Sequence, residues 1–181
     1  VANTLKEKTL LSYKDIYEES LFGVDIKNYS VERTKIVLSL NALLSGEDLC
    51  KYDFNLYTAD ALAFDWSSVV EDFDGFDFIV GNPPYVCAKN LDESSKKHLQ
   101  NWSVANLGNT DLYIPFFQVA ISNLRKDGVM GYITMNSFFK SLNARTLREY
   151  FQGLSLKLKI IDFGFEQIFR SKSTYTCICF I

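Results

Sequence analysis

The chain has 181 residues, of which 48% are hydrophobic, 15% aromatic and 23% charged, with a formal net charge of −3. That apolar content supports one globular domain and excludes a disordered tail, a collagen and a disulfide miniprotein. No apolar run reaches the ~20 residues that span a bilayer, and no signal-peptide pattern is present.

Cys50, Cys87, Cys177 and Cys179 form no CxxC, and His98 is the single histidine. No metal site is therefore expected, and reduced thiols in a cytoplasmic protein are. In chain order, residues 5–19 read as a weakly amphipathic helix. Ser20-Leu-Phe-Gly-Val-Asp25 is a short apolar run ending in an acid. Residues 30–45 have helical spacing behind a Ser30 N-cap, with Gly46 as the stop. Asn55–Ala59 is a second strand, again followed by an acid, Asp60. A third, Phe76–Gly81, runs into Asn82-Pro83-Pro84-Tyr85.

A polar stretch over 87–110 contains a helix around 93–101. A long apolar helix follows from 111 to 124, then a strand over Val129–Met135 after Gly128. Residues 144–152 read as a helix, and 156–163 and 174–181 as an antiparallel strand pair. Strands alternating with helices predict one α/β domain with a mostly parallel sheet covered on both faces.

The charge is uneven. Residues 1–110 hold 10 Lys/Arg against 17 Asp/Glu, a net −7, and residues 111–181 hold 9 against 5, a net +4. Lys140, Arg145, Arg148, Lys157, Lys159, Arg170 and Lys172 are candidates to face phosphates, although scattered basic residues are ordinarily a solvated face. In open parallel sheets the ligand lies beyond the carboxyl ends of the strands. Asp25, Asp60 and Asn82 all stand there, which is equally what turn-forming residues do after strands.

Asn82-Pro83-Pro84-Tyr85 carries the most specific chemistry. Two prolines remove two backbone donors and fix two φ angles, so a rigid loop presents carbonyl acceptors without competing N–H groups. Asn82 adds an amide oxygen and Tyr85 an aromatic face. Two acceptors beside a flat platform suit a planar ring with an exocyclic amino group. Bonding both amino hydrogens frees the nitrogen lone pair, so such a site works by positioning and electrostatics. The plain alternative is a rigid turn after a strand.

Phe76-Asp-Phe-Ile-Val-Gly-Asn-Pro-Pro-Tyr-Val86 resembles the catalytic motif of S-adenosylmethionine-dependent amino-methyltransferases, in the form associated with adenine-N6 DNA methyltransferases. Other segments resemble that family in its order: Leu21–Ile26, Thr58–Ala61, Thr110–Phe117, Gly131–Ser137 and Ile168–Thr176. The overall style is similar to the large bacterial restriction–modification methylases, type IIG fusions included. The resemblance implies a Rossmann-like fold, S-adenosyl-L-methionine as cofactor and a base flipped out of double-stranded DNA. It implies that Asp25 holds the cofactor ribose with Ile26 on its adenine. Asp60 and Ala61 would take the adenine amino edge, and Asp111 and Tyr113 would line the pocket. Asn82 and Pro83 would grip the target amino group, Asn82 also touching the cofactor, with Pro84 in the same catalytic loop, and Tyr85 and Phe169 would sandwich the base. Helix N-capping explains Asp111 as well, and core packing explains Phe169 as well.

Two parts of the family pattern are not found in these residues: a Gly-rich turn after a first strand, and a target-recognition domain. Residues 1–181 are thus expected to be a partial catalytic domain, inactive alone, with the first strand lacking. That leaves an unpaired edge or a groove in the sheet, to be closed by re-pairing or by strand exchange with a second chain. A glutamine N5-methyltransferase acting on protein, or a non-catalytic scaffold of a restriction complex, are the alternatives. Cytosine-N4 methylation more often accompanies Ser in place of Asn82. Asp162-Phe-Gly164 is no kinase signature, since neither a phosphate loop nor an HRD segment accompanies it.

Overall fold

The computed structural model describes residues 1–48, 50–106, 110–164, 166 and 175–181. The chain falls into two compact units, Val1–Phe64 and Asp65–Ile181.

In the first unit, helix α1 (Ala2–Lys8) is followed by a short α2 (Tyr13–Asp15) that runs on as a π-helical turn, Ile16–Ser20. The single helix expected over 5–19 is therefore broken. Thr9 is extended, and Ser12 starts a new helix with a reciprocal capping box: its hydroxyl accepts from the Asp15 N–H, and the Asp15 carboxylate accepts from the Ser12 N–H at 2.9 Å. Strand β1 (Phe22–Asp25), helix α3 (Asn28–Leu44) and strand β2 (Asn55–Thr58) form a parallel βαβ unit, registered from Phe22 opposite Asn55 to Asp25 opposite Thr58. Helix α3 begins two residues before the expected Ser30 cap; Lys27 stands at the N-cap without a side-chain bond. It does stop at Gly46, whose φ of 86° is the left-handed value that ends helices. Tyr13, Ile16, Tyr17, Ala42 and Tyr52 make the core.

In the second unit, strand β3 (Phe76–Gly81) is followed by helices α4 (Glu93–Leu99) and α5 (Tyr113–Ser122). Strand β4 (Leu124–Met135), helix α6 (Arg145–Gly153), β5 (Lys159–Asp162) and β6 (Thr176–Phe180) complete it. The sheet order is β3-β4-β6-β5, with β3 parallel to β4 and the other pairs antiparallel. Pro115 sits in the first turn of α5, where its missing N–H has no helical partner to lose. Tyr113, Ile114, Phe117 and Ala120 of α5 and Leu147 and Phe151 of α6 are buried with Met130, Tyr132, Cys177 and Cys179 of the sheet. The ring of Phe117 meets Tyr132, Phe138 and Phe151 at 5.4–5.6 Å between centroids. Both C-terminal thiols are thus packing groups, and all four cysteines are free.

Strand β4 begins five residues before the expected Val129. Phe76 pairs with Leu124 but Phe78 with Val129, so β4 absorbs an irregularity that includes Asp127 at φ 64°. The α/β class and the antiparallel C-terminal pair are as read from the sequence. The described strands form two sheets, β1-β2 and β3-β4-β6-β5, where the sequence led us to expect an unpaired edge or a groove. Re-pairing does not close the expected gap, since β1 pairs with β2 and β3 with β4 alone among the described residues. Nor is any described helix long and apolar enough to cross a membrane. No group of three His, Cys, Asp or Glu among the described residues could hold a metal ion.

Candidate active site

In the first unit, the parallel register sets the carboxyl ends of β1 and β2 side by side, and the Ala59 N–H extends the ladder onto the Asp25 carbonyl at 3.1 Å. Asp25-Ile26 and Asp60-Ala61 therefore share one sheet edge. The Asp25 Oδ1 accepts from the Lys27 N–H at 2.7 Å, so the turn-forming role of Asp25 is real. Its Oδ2 has no partner among the described residues and remains available as an acceptor. Ile26, 57% exposed, offers an apolar surface next to it. Asp60 is likewise a turn residue, its Oδ1 accepting from the Leu62 N–H at 3.0 Å. The Thr58 hydroxyl donates to Asn28 Oδ1 at 3.2 Å, tying this edge to the start of α3.

In the second unit, Asn82 follows β3 directly. It is exposed, and its side-chain amide makes no hydrogen bond among the described residues. Pro83 is buried, while Pro84 and Tyr85 are half-buried. Tyr85 packs on the edge of the core, and its Oη donates to the Ile133 carbonyl of β4 at 3.2 Å. Burial pushes its phenol up to about 12, so it stays a donor at neutral pH.

The segment that follows is pinned to the start of α5. The Leu112 N–H donates to the Val86 carbonyl at 2.7 Å, and Cys87 and Asp111 form an antiparallel bridge. Asn82–Tyr85 and Asp111–Tyr113, singled out separately in the sequence, are thereby brought into one structure. Asp111 does not cap α5: Leu112 holds the N-cap position and no side chain bonds there. The Asp111 carboxyl has no hydrogen-bond or ion-pair partner among the described residues, and burial raises its pKa. Tyr113 has no exposed surface at all. It meets Tyr85 edge-on, with centroids 6.4 Å apart at 86°, and its Oη lies 3.4 Å from Ser137 Oγ.

A raised carboxyl pKa in the folded state gives stability that is full below the unfolded value of about 4 and is lost as pH rises through the folded value. Asp111→Asn removes that loss. We expect the melting temperature of the variant to exceed that of the parent by a margin that opens as pH rises above about 4 and levels off above the folded value, read by thermal melts across the acid-to-neutral range.

Of the basic residues, Arg145 is paired with Glu149 at 2.8 Å, and Arg148 donates to the carbonyls of Phe138 and Ser141, both at 2.8 Å. Arg148 is thereby committed to the fold, while Arg145 sits in an exposed i,i+4 pair of little energetic weight. Lys140, Lys157 and Lys159 are exposed, while Arg170, Lys172 and Phe169 lie outside the described residues. The sequence reading missed Ser137 and the Ile133 carbonyl as partners of the tyrosines. The spacing of Tyr113, Phe117 and Ala120 along one helical stripe was the available signal that Tyr113 belongs to the core.

The α/β scaffold that carries this loop has a fold shared with solved structures. A Listeria monocytogenes protein described as a class I S-adenosylmethionine-dependent methyltransferase superposes with a TM-score of 0.58 at 16% identity, over 87% of this chain and 42% of that one. More particularly, the chain belongs to the Eco57I restriction-modification methylase family, whose model matches residues 19–169. The Type II restriction enzyme and methyltransferase RM.Eco57I of Escherichia coli is 28% identical over 192 residues, covering 93% of this chain and 19% of the relative. The structure of the DrdV–DNA complex matches all of this chain and 22% of its own, with a TM-score of 0.74 at 14% identity. The chain spans about a fifth of the length of the curated relatives it matches.

Proposed function

We propose that these residues are part of the catalytic domain of a bacterial, cytoplasmic restriction–modification enzyme. In this reading the full-length protein methylates the N6 amino group of an adenine flipped out of double-stranded DNA. The observation that carries it is Asn82: exposed and without a hydrogen-bond partner among the described residues, it leads a loop whose prolines offer acceptors only.

The Asp25 Oδ2, which bonds to no described residue, suits a ribose hydroxyl, and the exposed Ile26 suits the face of a flat ring, so the first unit's edge fits S-adenosylmethionine. Asp60 and Ala61 complete that edge. When bound, the cofactor supplies the transferable methyl group. The chain's own residues supply the grip on the acceptor. Asn82 Oδ1 and the Pro83 carbonyl accept the two amino hydrogens of the base, which orients the nitrogen and favours its lone pair. Tyr85 presents its ring to the base, and stacking of roughly 1–3 kcal/mol largely offsets the few kcal/mol that flipping costs. Neither role needs a strong general base. Relatives that are restriction–modification enzymes favour DNA over a protein glutamine.

The test is expression of the full-length protein in a methylation-deficient host, with mass spectrometry of genomic-DNA nucleosides. N6-methyladenine is the expected product. N4-methylcytosine would keep the grip and change the base; a soluble protein that leaves the DNA unmodified would sink the reading.

A further inference from the structure

The two prolines that make the loop acceptor-rich also deprive it of anchors. The β3–β4 ladder stops at Gly81 opposite Tyr132, and the next backbone bond is at Val86, whose carbonyl accepts from Leu112. Between them, Asn82–Tyr85 has one hydrogen bond to the rest of the described residues: the Tyr85 hydroxyl on the Ile133 carbonyl, 3.2 Å. Ile133 lies one residue beyond Tyr132 on the strand that supports β3, so this bond ties the loop to the strand beside it.

The ring that carries the hydroxyl is itself held. Tyr113, wholly buried, meets it edge-on at 86°, and the Tyr113 hydroxyl lies 3.4 Å from Ser137 Oγ, two residues past the end of β4. Tyr85 is therefore fixed at its hydroxyl by β4 and on its ring by a residue that also reaches back to the end of β4. Burial pushes the Tyr113 phenol up to about 12, as it does that of Tyr85, so both hydroxyls keep their protons throughout the neutral range.

We propose that Tyr113 and Ser137 are positioning residues that act through Tyr85, whose hydroxyl sets where the Asn82 and Pro83 acceptors stand. This rests on the reading of Asn82–Tyr85 as the grip on an amino group, and it gives Tyr85 a second task besides its ring face. Acceptors that must meet two hydrogens of one small group tolerate errors of only about 0.5 Å, so releasing the tether costs turnover while the cofactor edge in the other unit is untouched.

The experiment uses the full-length protein, with S-adenosylmethionine and duplex DNA carrying the site read from the host methylome. Tyr85→Phe keeps the ring and removes the tether; kcat is expected to fall about tenfold, with the cofactor KM within about twofold of the parent. Tyr113→Phe and Ser137→Ala each lower kcat about threefold, and the double variant is no worse than either single, as for two ends of one bond. Parental kcat in Tyr85→Phe overturns the proposal. So does a joint loss of kcat, cofactor affinity and melting temperature, which marks a merely structural bond. Absence of methylation by the parent protein is a different result: it removes the grip itself and this inference with it.

Discussion

Asn82→Ala is expected to cost the full-length protein nearly all of its methylation while leaving its fold intact. The loss is expected to reach about 10²–10³-fold in kcat, the scale on which removal of one oriented polar group at a reacting centre registers. Stability is spared because the side chain is exposed and bonds to no described residue, and surface substitutions of that kind stay within about 0.5 kcal/mol. The Pro83 carbonyl remains after the substitution, so the amino group keeps one acceptor and loses the other. A nitrogen held on one side alone rotates, and the geometry that frees its lone pair is lost. The measurement pairs nucleoside mass spectrometry with a thermal melt. Undiminished N6-methyladenine from the variant would remove Asn82 from the mechanism. Lost activity with an equally lost melting transition would make it a folding residue, contrary to its exposure.

That Asn82 could be picked out from sequence, while its supports could not, has a physical basis. A strand such as Phe76–Gly81 followed by two prolines announces both its end and its acceptor-only loop through covalent properties of the residues themselves. The Asp25 and Asp60 edge was legible for a similar reason, because each acid closes a short apolar run. The Tyr85 tether has no such mark: its acceptor is a main-chain carbonyl of Ile133, and any residue at that position supplies one. Other misreadings have the same root in what is local. Ser12-x-x-Asp15 is a visible capping box that breaks the first helix, whereas Ser30 resembles a cap but lies within α3. Gly128 looked like the end of a connection because the irregularity that lets β4 begin at Leu124 depends on its pairing with β3. Strand pairing joins residues far apart in the chain, so the register shift between β3 and β4 could not be read from any one segment.

Gly75→Ala is expected to destabilise the second unit by about 3 kcal/mol or more, a large share of the roughly 5–15 kcal/mol that holds a domain. Gly75 has φ of 114°, a backbone conformation that side chains rarely adopt, and this alone costs of order 1–3 kcal/mol. A Cβ there would also run into the backbone nitrogen of Arg125 and come within 2.7 Å of the Arg125 Cα and the Leu124 carbonyl carbon. Those are main-chain atoms of β4 and cannot swing aside. Asp77, two residues on, is ion-paired with the same Arg125, so relief by moving β4 away gives up that contact and the Phe76–Leu124 pairing too. Gly153, at the end of α6, is the control: nothing lies within 4 Å of a Cβ built there and its φ is not positive, so Gly153→Ala is neutral or gains up to about 1 kcal/mol. Denaturant melts of both variants read the difference. Equal stabilities would mean that the entry to β3 yields easily; a gap of the expected size makes the close approach of Arg125 to Gly75 a fixed feature of that entry.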